Sequence, residues 1–207
     1  MIALETYDGL TVATIRRPEK ANSLTRDMLS ALADAAEAAS SDGTRALILT
    51  GEGRVFSAGA DLDEARAGLA TDPVWERLSR AIAALPCLTI AALNGTLAGG
   101  AFGMALACDI RLCVPEAKFF YPVMRLGFLP QPSDPARLAS LIGPARAKMI
   151  LMAGARIEAP EALAWGLVDR IVPADDLLSA ARTLAADVLA ADKDHAAAIK
   201  ALIQPLR

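Results

Sequence analysis

The sequence predicts an α/β fold, because short apolar runs typical of strands alternate along the chain with longer segments of helical periodicity. Two of these runs, residues 46–50 and 88–93, are almost continuously apolar, which is typical of strands covered on both faces. The segment between them carries apolar residues at helical spacing, namely Val74, Leu78, Ile82 and Leu85. Repeated strand–turn–helix units without a linker or low-complexity segment indicate one domain over residues 1–207.

The N-terminal part of the chain predicts a hairpin followed by a helix. Residues 3–7 and 10–15 are short β-rich runs joined by Asp8-Gly9, a dipeptide that favours a tight two-residue turn. Thr25 is a predicted N-cap, since its hydroxyl can accept a hydrogen bond from an unpaired N–H of the first turn. The predicted helix then repeats apolar residues at Leu24, Met28, Leu32, Ala35 and Ala39.

The later elements continue the alternation. The same signals predict helices near residues 100–108, 136–142, 145–152 and 161–165, strands at 110–114 and 167–172, and a C-terminal helix from about residue 175. That last helix is amphipathic, and its apolar face can pack on its own subunit or on a partner.

Composition and charge exclude several classes of protein. A formal charge of −3 argues against a protein that tracks nucleic-acid phosphates, which would carry a basic face. Glycines interrupt the longest apolar stretch, residues 88–107, so it predicts buried elements and not a membrane span. The N-terminus lacks the pattern of a secretory signal, and we expect a cytoplasmic protein. The three cysteines are predicted to be buried free thiols, because Cys87, Cys108 and Cys113 lack metal-ligand spacing.

Two turns of small residues follow buried strands and are the most informative feature of the sequence. They are residues 57–60 (Ser-Ala-Gly-Ala) and 98–101 (Ala-Gly-Gly-Ala). Small residues allow a ligand to approach the backbone, and the second turn also starts a helix, whose first N–H groups favour negative charge. Side by side, the turns could present two N–H donors to one carbonyl oxygen, as an oxyanion hole. The alternative is close strand–helix packing without a ligand; a dinucleotide-binding G-x-G-x-x-G motif is not present at this helix.

Three stretches, in this order, resemble the signature segments of the crotonase (enoyl-CoA hydratase/isomerase) superfamily: residues 17–24 (RPEKANSL), 47–62 (LILTGEGRVFSAGADL) and 90–109 (IAALNGTLAGGAFGMALACD). The match continues at residues 117–119 and 126–127, and residues 143–149 and 157–173 (IEAPEALAWGLVDRIVP) resemble the family's closing helices and last strand. The resemblance runs from about residue 10 to residue 173. It implies a crotonase-like spiral of ββα units with C-terminal helices, whose C-terminal region, residues 174–207, is interpreted as shortened.

The resemblance also implies a site. Ala58 and Gly100 match the two backbone donors of the oxyanion hole, each worth roughly 3 kcal/mol to an enolate-like transition state. Positions that match coenzyme A-binding segments are Ala21, Asn22, Leu24, Ala60, Asp61 and Leu62; for Asp61 a structural cap is the alternative. The implied partner is an acyl-CoA substrate, with coenzyme A as part of that substrate and with no separate cofactor and no metal. The implied assembly is a homotrimer or a hexamer of two trimers.

The two glutamates that serve the family's hydratases as general acid and base are replaced. Their matching positions are Gly103 and Val123, which we expect to line the substrate site but which cannot transfer a proton. Positioned acid–base groups supply factors of about 10²–10⁴ each, so efficient hydratase chemistry is not expected. Isomerisation with another acid–base group, or decarboxylation to an enolate, is compatible with the remaining residues.

Other residues near Gly103 and Val123 are candidates to replace the two glutamates as acid–base groups. Tyr121 and Asp134 are the candidates. The alternative for Tyr121 is a packed aromatic ring whose hydroxyl is satisfied by a hydrogen bond, and the alternative for Asp134 is a solvated loop carboxylate. Asp63 and Glu64 follow the first turn, but acidic residues are expected at a helix start in any case. The single histidine, His195, is predicted to lie on the surface, which argues against a serine–histidine mechanism. The leading hypothesis is therefore an enolate-forming lyase or isomerase of fatty acid metabolism, and the alternative is a catalytically silent acyl-CoA-binding or scaffolding protein.

Overall fold

Residues 1–203, the part of the chain that the computed structural model describes, contain ten strands and ten α-helices. The strands are β1 (Ile2–Tyr7), β2 (Leu10–Ile15), β3 (Ala46–Gly51), β4 (Val55–Ser57), β5 (Leu88–Leu93), β6 (Thr96–Ala98), β7 (Ile110–Cys113), β8 (Lys118–Phe120), β9 (Ile157–Glu158) and β10 (Arg170–Ile171). The helices are α1 (Arg26–Ala39), α2 (Leu62–Arg66), α3 (Val74–Ala83), α4 (Phe102–Ala107), α5 (Val123–Leu126), α6 (Asp134–Ile142), α7 (Pro144–Leu151), α8 (Ala159–Trp165), α9 (Leu177–Ala190) and α10 (Lys193–Ile203). The last four residues of the predicted domain, 204–207, lie outside this range.

Two sheets share the strands. The larger sheet has the order β1-β2-β3-β5-β7-β10 and is parallel except for the β1–β2 hairpin. The smaller sheet has the order β4-β6-β8-β9, with an antiparallel pair only at β8–β9. Three times along the chain a strand of the larger sheet is followed by one of the smaller sheet and then by a helix. These repeated ββα units confirm the predicted fold class.

The local predictions at the N-terminus are confirmed. Asp8 and Gly9 both have positive φ angles, 49° and 83°, as the tight hairpin turn requires. The Thr25 hydroxyl accepts a hydrogen bond from the Met28 N–H at 3.2 Å, so Thr25 caps α1 as predicted.

The main differences from the predicted elements lie in the smaller sheet and at the C-terminus. Strands β4, β6, β8 and β9 have two or three residues each, too few for a period of two to be visible in the sequence. The predicted C-terminal helix is two helices. They break where the Asp192 carboxylate accepts hydrogen bonds from the N–H groups of Asp194 and His195, both at 3.0 Å, and so starts a new helix.

The core is built mainly from aliphatic residues of the larger sheet and of the helices packed on it, with Phe56, Phe102 and Phe119 among its largest fully buried side chains. All three cysteines are buried free thiols, as predicted. Burial raises the pKa of Cys87 to about 11 and the pKa values of Cys108 and Cys113 to about 12, which keeps the thiols neutral. Within residues 1–203 no helix is both long and apolar enough to cross a membrane.

Candidate active site

The two small-residue turns lie against each other. Gly59 has a φ of 93°, and a Cβ built on it would lie 3.0 Å from the carbonyl oxygen of Ala98. Glycine is required here by both the backbone angle and the close approach. The contact brings Ala60 and Gly100 onto one wall of a cavity of about 140 Å³, which Ala58 and Gly99 also line.

The backbone at Ala60 leaves an N–H group free for a ligand. The Leu24 N–H donates to the Gly59 carbonyl at 2.8 Å, and the Asp61 N–H donates to the Leu24 carbonyl at 2.9 Å. Ala60 lies between these two hydrogen bonds of a parallel bridge, so its own N–H points away from Leu24. No acceptor for that N–H occurs among residues 1–203.

Ala58, which we predicted as the first donor, is differently placed. Its N–H donates to the carbonyl oxygen of Ala21 at 3.0 Å and is therefore not available to a substrate. The prediction of Ala58 was wrong by two residues. Ala60, which also lines the cavity, carries the free N–H. Ala60 was predicted only as a coenzyme A-binding residue.

The second predicted donor, Gly100, is well placed. It is the second residue of the 3-10 turn Gly99–Ala101 that leads into α4, where an N–H has no intrahelical acceptor. A Cβ at Gly100 would lie 3.2 Å from the Trp75 ring, whose indole N–H donates to the Leu69 carbonyl at 2.8 Å. Trp75 thus packs on the bare backbone of the turn and lines the cavity. Trp75 was not predicted as a site residue, because its spacing in α3 is that of an ordinary core residue.

The cavity is apolar, and among the described residues no charged side chain lines it. Its opening carries exposed apolar side chains at Leu62, Leu126, Phe128 and Leu129. Leu62 is 74% exposed and Leu129 is 86% exposed, and a cluster of exposed apolar side chains around one opening is typical of a ligand-binding site. An apolar opening next to two free N–H groups suits a ligand with a carbonyl oxygen and an apolar chain.

The two positions that the resemblance predicted to match the hydratase glutamates, Gly103 and Val123, lie in different surroundings. Val123 is the first residue of α5 and lines the cavity, as predicted. Gly103 is buried in α4 and is not part of the cavity wall. Instead, a Cβ at Gly103 would lie 2.9 Å from Oδ1 of Asp134, so the space beside this glycine is occupied by a carboxylate from α6.

Tyr121 and Asp134, the two candidate acid–base residues, are in contact. The Tyr121 hydroxyl donates to Oδ2 of Asp134 at 3.0 Å and accepts a hydrogen bond from the Gln131 backbone N–H at 3.3 Å. Tyr121 and Gln131 both line the cavity. Asp134 is only 1% exposed, which excludes the alternative of a solvated loop carboxylate.

Burial governs the ionisation of this pair. It raises the pKa of Asp134 to about 7, against the opposing hydrogen bond from Tyr121 and the nearby Arg137 guanidinium. Burial, reinforced by the Asp134 charge, also raises the pKa of Tyr121 above its usual range, so the phenol stays neutral at physiological pH. The second carboxylate oxygen of Asp134, Oδ1, has no hydrogen-bond partner within residues 1–203.

A buried glutamate that was not predicted from the sequence fixes the loop before Asp134, the first residue of α6. Glu76 of α3 accepts hydrogen bonds from the Ser133 N–H at 3.2 Å and from the Ser133 hydroxyl. The Gln131 amide donates to the Ala70 carbonyl at 3.1 Å. These contacts tie the start of α6 to the cavity wall.

Several predicted coenzyme A-binding side chains hold the fold together. Asn22 is fully buried, and its amide donates to the carbonyls of Glu52 at 2.9 Å and Val55 at 2.6 Å. Leu24 is also fully buried. Asp61 accepts a hydrogen bond from Arg17 at 2.8 Å and caps α2, which was the alternative considered for it.

Only Ala60 and Leu62 among the predicted coenzyme A-binding residues line the cavity, while the Ala21 carbonyl is taken by the Ala58 N–H. The other acidic candidates and the histidine do not line it. Asp63 pairs with Arg66 at 3.2 Å on the surface, and Glu64 accepts a hydrogen bond from the first N–H of α1. His195 is exposed on α10, as predicted.

Comparison with known proteins supports a family assignment. A family model described as enoyl-CoA hydratase/isomerase matches residues 5–205. A probable enoyl-CoA hydratase of Mycobacterium leprae is 34% identical over 195 residues, covering 90% of this chain and 74% of the relative. The 4-chlorobenzoyl coenzyme A dehalogenase-2 of an Arthrobacter species is 32% identical over 213 residues, covering 98% of this chain and 77% of that enzyme. A crystal structure of an enoyl-CoA hydratase from Bacillus anthracis has a TM-score of 0.91 at 31% identity, covering 99% of this chain and 82% of that one.

Proposed function

Since the chain belongs to the enoyl-CoA hydratase/isomerase family of the crotonase superfamily, we propose that it processes acyl-CoA thioesters through an enolate. The thioester oxygen would accept hydrogen bonds from the N–H groups of Ala60 and Gly100. The observation that carries the proposal is the meeting of these two free backbone donors on one wall of an apolar cavity. Fixed donors in a site that excludes water stabilise developing negative charge more strongly than the same donors in water do.

The proposed chemistry is isomerisation or a lyase reaction and not efficient hydration. Addition of water across a conjugated double bond needs a base for the water and an acid for the carbon, and the cavity wall has valine at position 123 and no carboxylate among the described residues. Isomerisation needs one group that removes a proton and returns it to another carbon. Decarboxylation of a malonyl-type thioester needs less, because loss of CO₂ itself leaves the enolate.

The test is incubation with a panel of acyl-CoA thioesters in deuterated water, followed by mass spectrometry. Deuterium uptake at the α-carbon, or loss of CO₂ from a malonyl-type thioester, is the expected result. The matched variants are Gly100→Pro and Gly100→Ala. Both place a Cβ against Trp75, but only proline removes the N–H, so the proline variant should be the slower of the two by about 10²–10³-fold.

The alternative function is a silent acyl-CoA-binding protein, favoured by the lack of any charged side chain among the described cavity-lining residues. It predicts thioester binding, measured by calorimetry, without deuterium uptake or CO₂ release for any member of the panel. If no thioester binds, both functions are wrong.

We also propose a homotrimer or a hexamer of two trimers. The support is family membership, and Met149, Met152 and Leu163 are exposed apolar side chains that a subunit interface would cover. Light scattering coupled to size-exclusion chromatography measures the mass directly, and a monomer would contradict this assembly.

A further inference from the structure

One carboxylate close to the cavity has no role in the proposed oxyanion hole. Asp134 is 1% exposed, its Oδ1 has no hydrogen-bond partner within residues 1–203, and it fills the space beside Gly103. Burying a carboxylate with one oxygen unpaired costs free energy. A purely structural hydrogen bond to a tyrosine does not require a charged group, so the placement of Asp134 calls for another explanation.

The route from this carboxylate to the cavity passes through Tyr121. Among the described cavity-lining residues, Tyr121 is the only titratable one. The other two polar side chains of the wall, Trp75 and Gln131, do not titrate, and each donates to a backbone carbonyl, of Leu69 and Ala70 respectively. The Tyr121 hydroxyl alone connects the cavity wall to a proton acceptor, Oδ2 of Asp134, at 3.0 Å.

We propose that Tyr121 is the catalytic proton-transfer residue of this site and that Asp134 is the positioning residue behind it, which takes and returns the tyrosine proton. The inference rests on the proposed enolate chemistry and names the acid–base group for it. It favours substrates with an acidic C–H beside the thioester or conjugated with it, and hence isomerisation over decarboxylation.

The proposed step balances in protons and electrons. The C–H bond of the substrate breaks, its proton goes to the Tyr121 oxygen, and the original Tyr121 proton goes to Oδ2 of Asp134. The electron pair of the C–H bond forms the enolate, whose oxygen accepts hydrogen bonds from Ala60 and Gly100. In the reverse direction Asp134 returns its proton to Tyr121, and Tyr121 protonates the same carbon or a conjugated one.

The groups that face Asp134 set the pH range of this transfer. Tyr121 donates to it, Arg137 one turn later on α6 favours its charged form, and Glu76 of α3 disfavours that form. The backbone at Gly103 of α4 adds no charge. Because burial outweighs the favourable contacts, Asp134 changes its charge near neutral pH.

The experiment compares the wild type with Tyr121→Phe and Asp134→Asn. Deuterium exchange into a bound thioester should fall by about 10²-fold or more in both variants, because each interrupts the transfer, while thioester affinity stays within a few-fold. The wild-type exchange rate should rise with pH up to about 7 and then level, and Asp134→Asn should lack this dependence. Circular dichroism melting identifies a variant that fails to fold, and Asp134→Glu tests rescue by another carboxylate.

A second readout does not depend on activity. The chain has two tyrosines, so ¹³C-labelled tyrosine gives two NMR signals, and Tyr7→Phe assigns them. The Tyr121 signal should shift with the titration of Asp134 in the wild type and lose that shift in Asp134→Asn. The inference is overturned if the wild type exchanges deuterium and both variants match its rate and pH profile. If the wild type releases CO₂ from a malonyl-type thioester but exchanges deuterium into none of the panel, this inference is overturned while the proposed function stands. If it binds thioesters and does neither, the proposed function itself fails.

Discussion

The two halves of the candidate site, a proposed oxyanion hole and a proposed acid–base pair, are built in different ways. The oxyanion half consists of backbone N–H groups at Ala60 and Gly100, each fixed by a short turn of consecutive small residues. The acid–base half consists of two side chains, Tyr121 and Asp134, that come from separate elements and meet through one hydrogen bond. Backbone donors do not depend on which side chain the residue carries, whereas the acid–base half depends on side-chain identity at every position.

The two halves therefore place different demands on the sequence. The turns need only small residues and the angles that glycine permits at Gly59. A carboxylate, in contrast, can be supplied from any neighbouring element that reaches the same volume. The volume beside Gly103 is filled from α6 because a glycine in α4 leaves room for Asp134.

The largest expected effect tests the backbone half at its first donor. Ala60→Pro removes the free N–H and should lower the rate of α-proton exchange by about 10²–10³-fold, since a lost oxyanion donor costs about that factor. Ala60→Gly keeps the N–H and should retain most of the activity. The rate of deuterium uptake, measured for a thioester that the wild type exchanges, is the readout.

Ala58→Gly is the matched control at the neighbouring position, because the Ala58 N–H is already bonded to the Ala21 carbonyl. It should leave the exchange rate nearly unchanged. An Ala60→Pro variant that folds and exchanges at the wild-type rate would show that Ala60 is not a donor.

The backbone half of the site was largely predictable from the sequence, and the side-chain half was not. The paired small-residue turns and Gly100 are visible as a local motif, although the sequence could not tell which N–H groups of the first turn are free. That distinction depends on the bridge to Leu24 and on the hydrogen bond from Ala58 to Ala21, both made by residues more than thirty positions away. Contacts at such separation have no signature in a local pattern.

In the fold as well, elements with a local sequence pattern were predictable, and elements that depend on distant contacts were not. Strands such as β3 and β5 were predicted almost to the residue because each has six residues of strong apolar character. The smaller sheet was missed because its strands are short and owe their pairing to the larger sheet, which positions them. Asp134 was predicted as a candidate from its position, but its burial and its contact with Gly103 became visible only in three dimensions.

The pH dependence of stability tests the side-chain half. The folded-state pKa of Asp134, about 7, lies above its unfolded value of 3.8, so the folded protein holds this proton more tightly. The contribution of the group to stability is therefore full below about pH 4 and is lost as the pH rises through about 7. Urea unfolding should show Asp134→Asn gaining up to about 4 kcal/mol relative to the wild type between pH 4 and pH 8. Parallel pH profiles for the two proteins would contradict a raised pKa.

A smaller effect is expected from adding one methyl group between helices α4 and α6. Gly103→Ala places a Cβ 2.9 Å from Oδ1 of Asp134 and should lower the free energy of unfolding by about 1–3 kcal/mol, as overpacking in a tight core does. In an Asp134→Ala background the oxygen is gone, so the same substitution should cost much less. The coupling free energy from this double-mutant cycle measures how far Asp134 depends on the glycine. A coupling near zero would mean that α4 and α6 adjust freely, and the carboxylate would then owe its position to Tyr121 and the Glu76–Ser133 contacts alone.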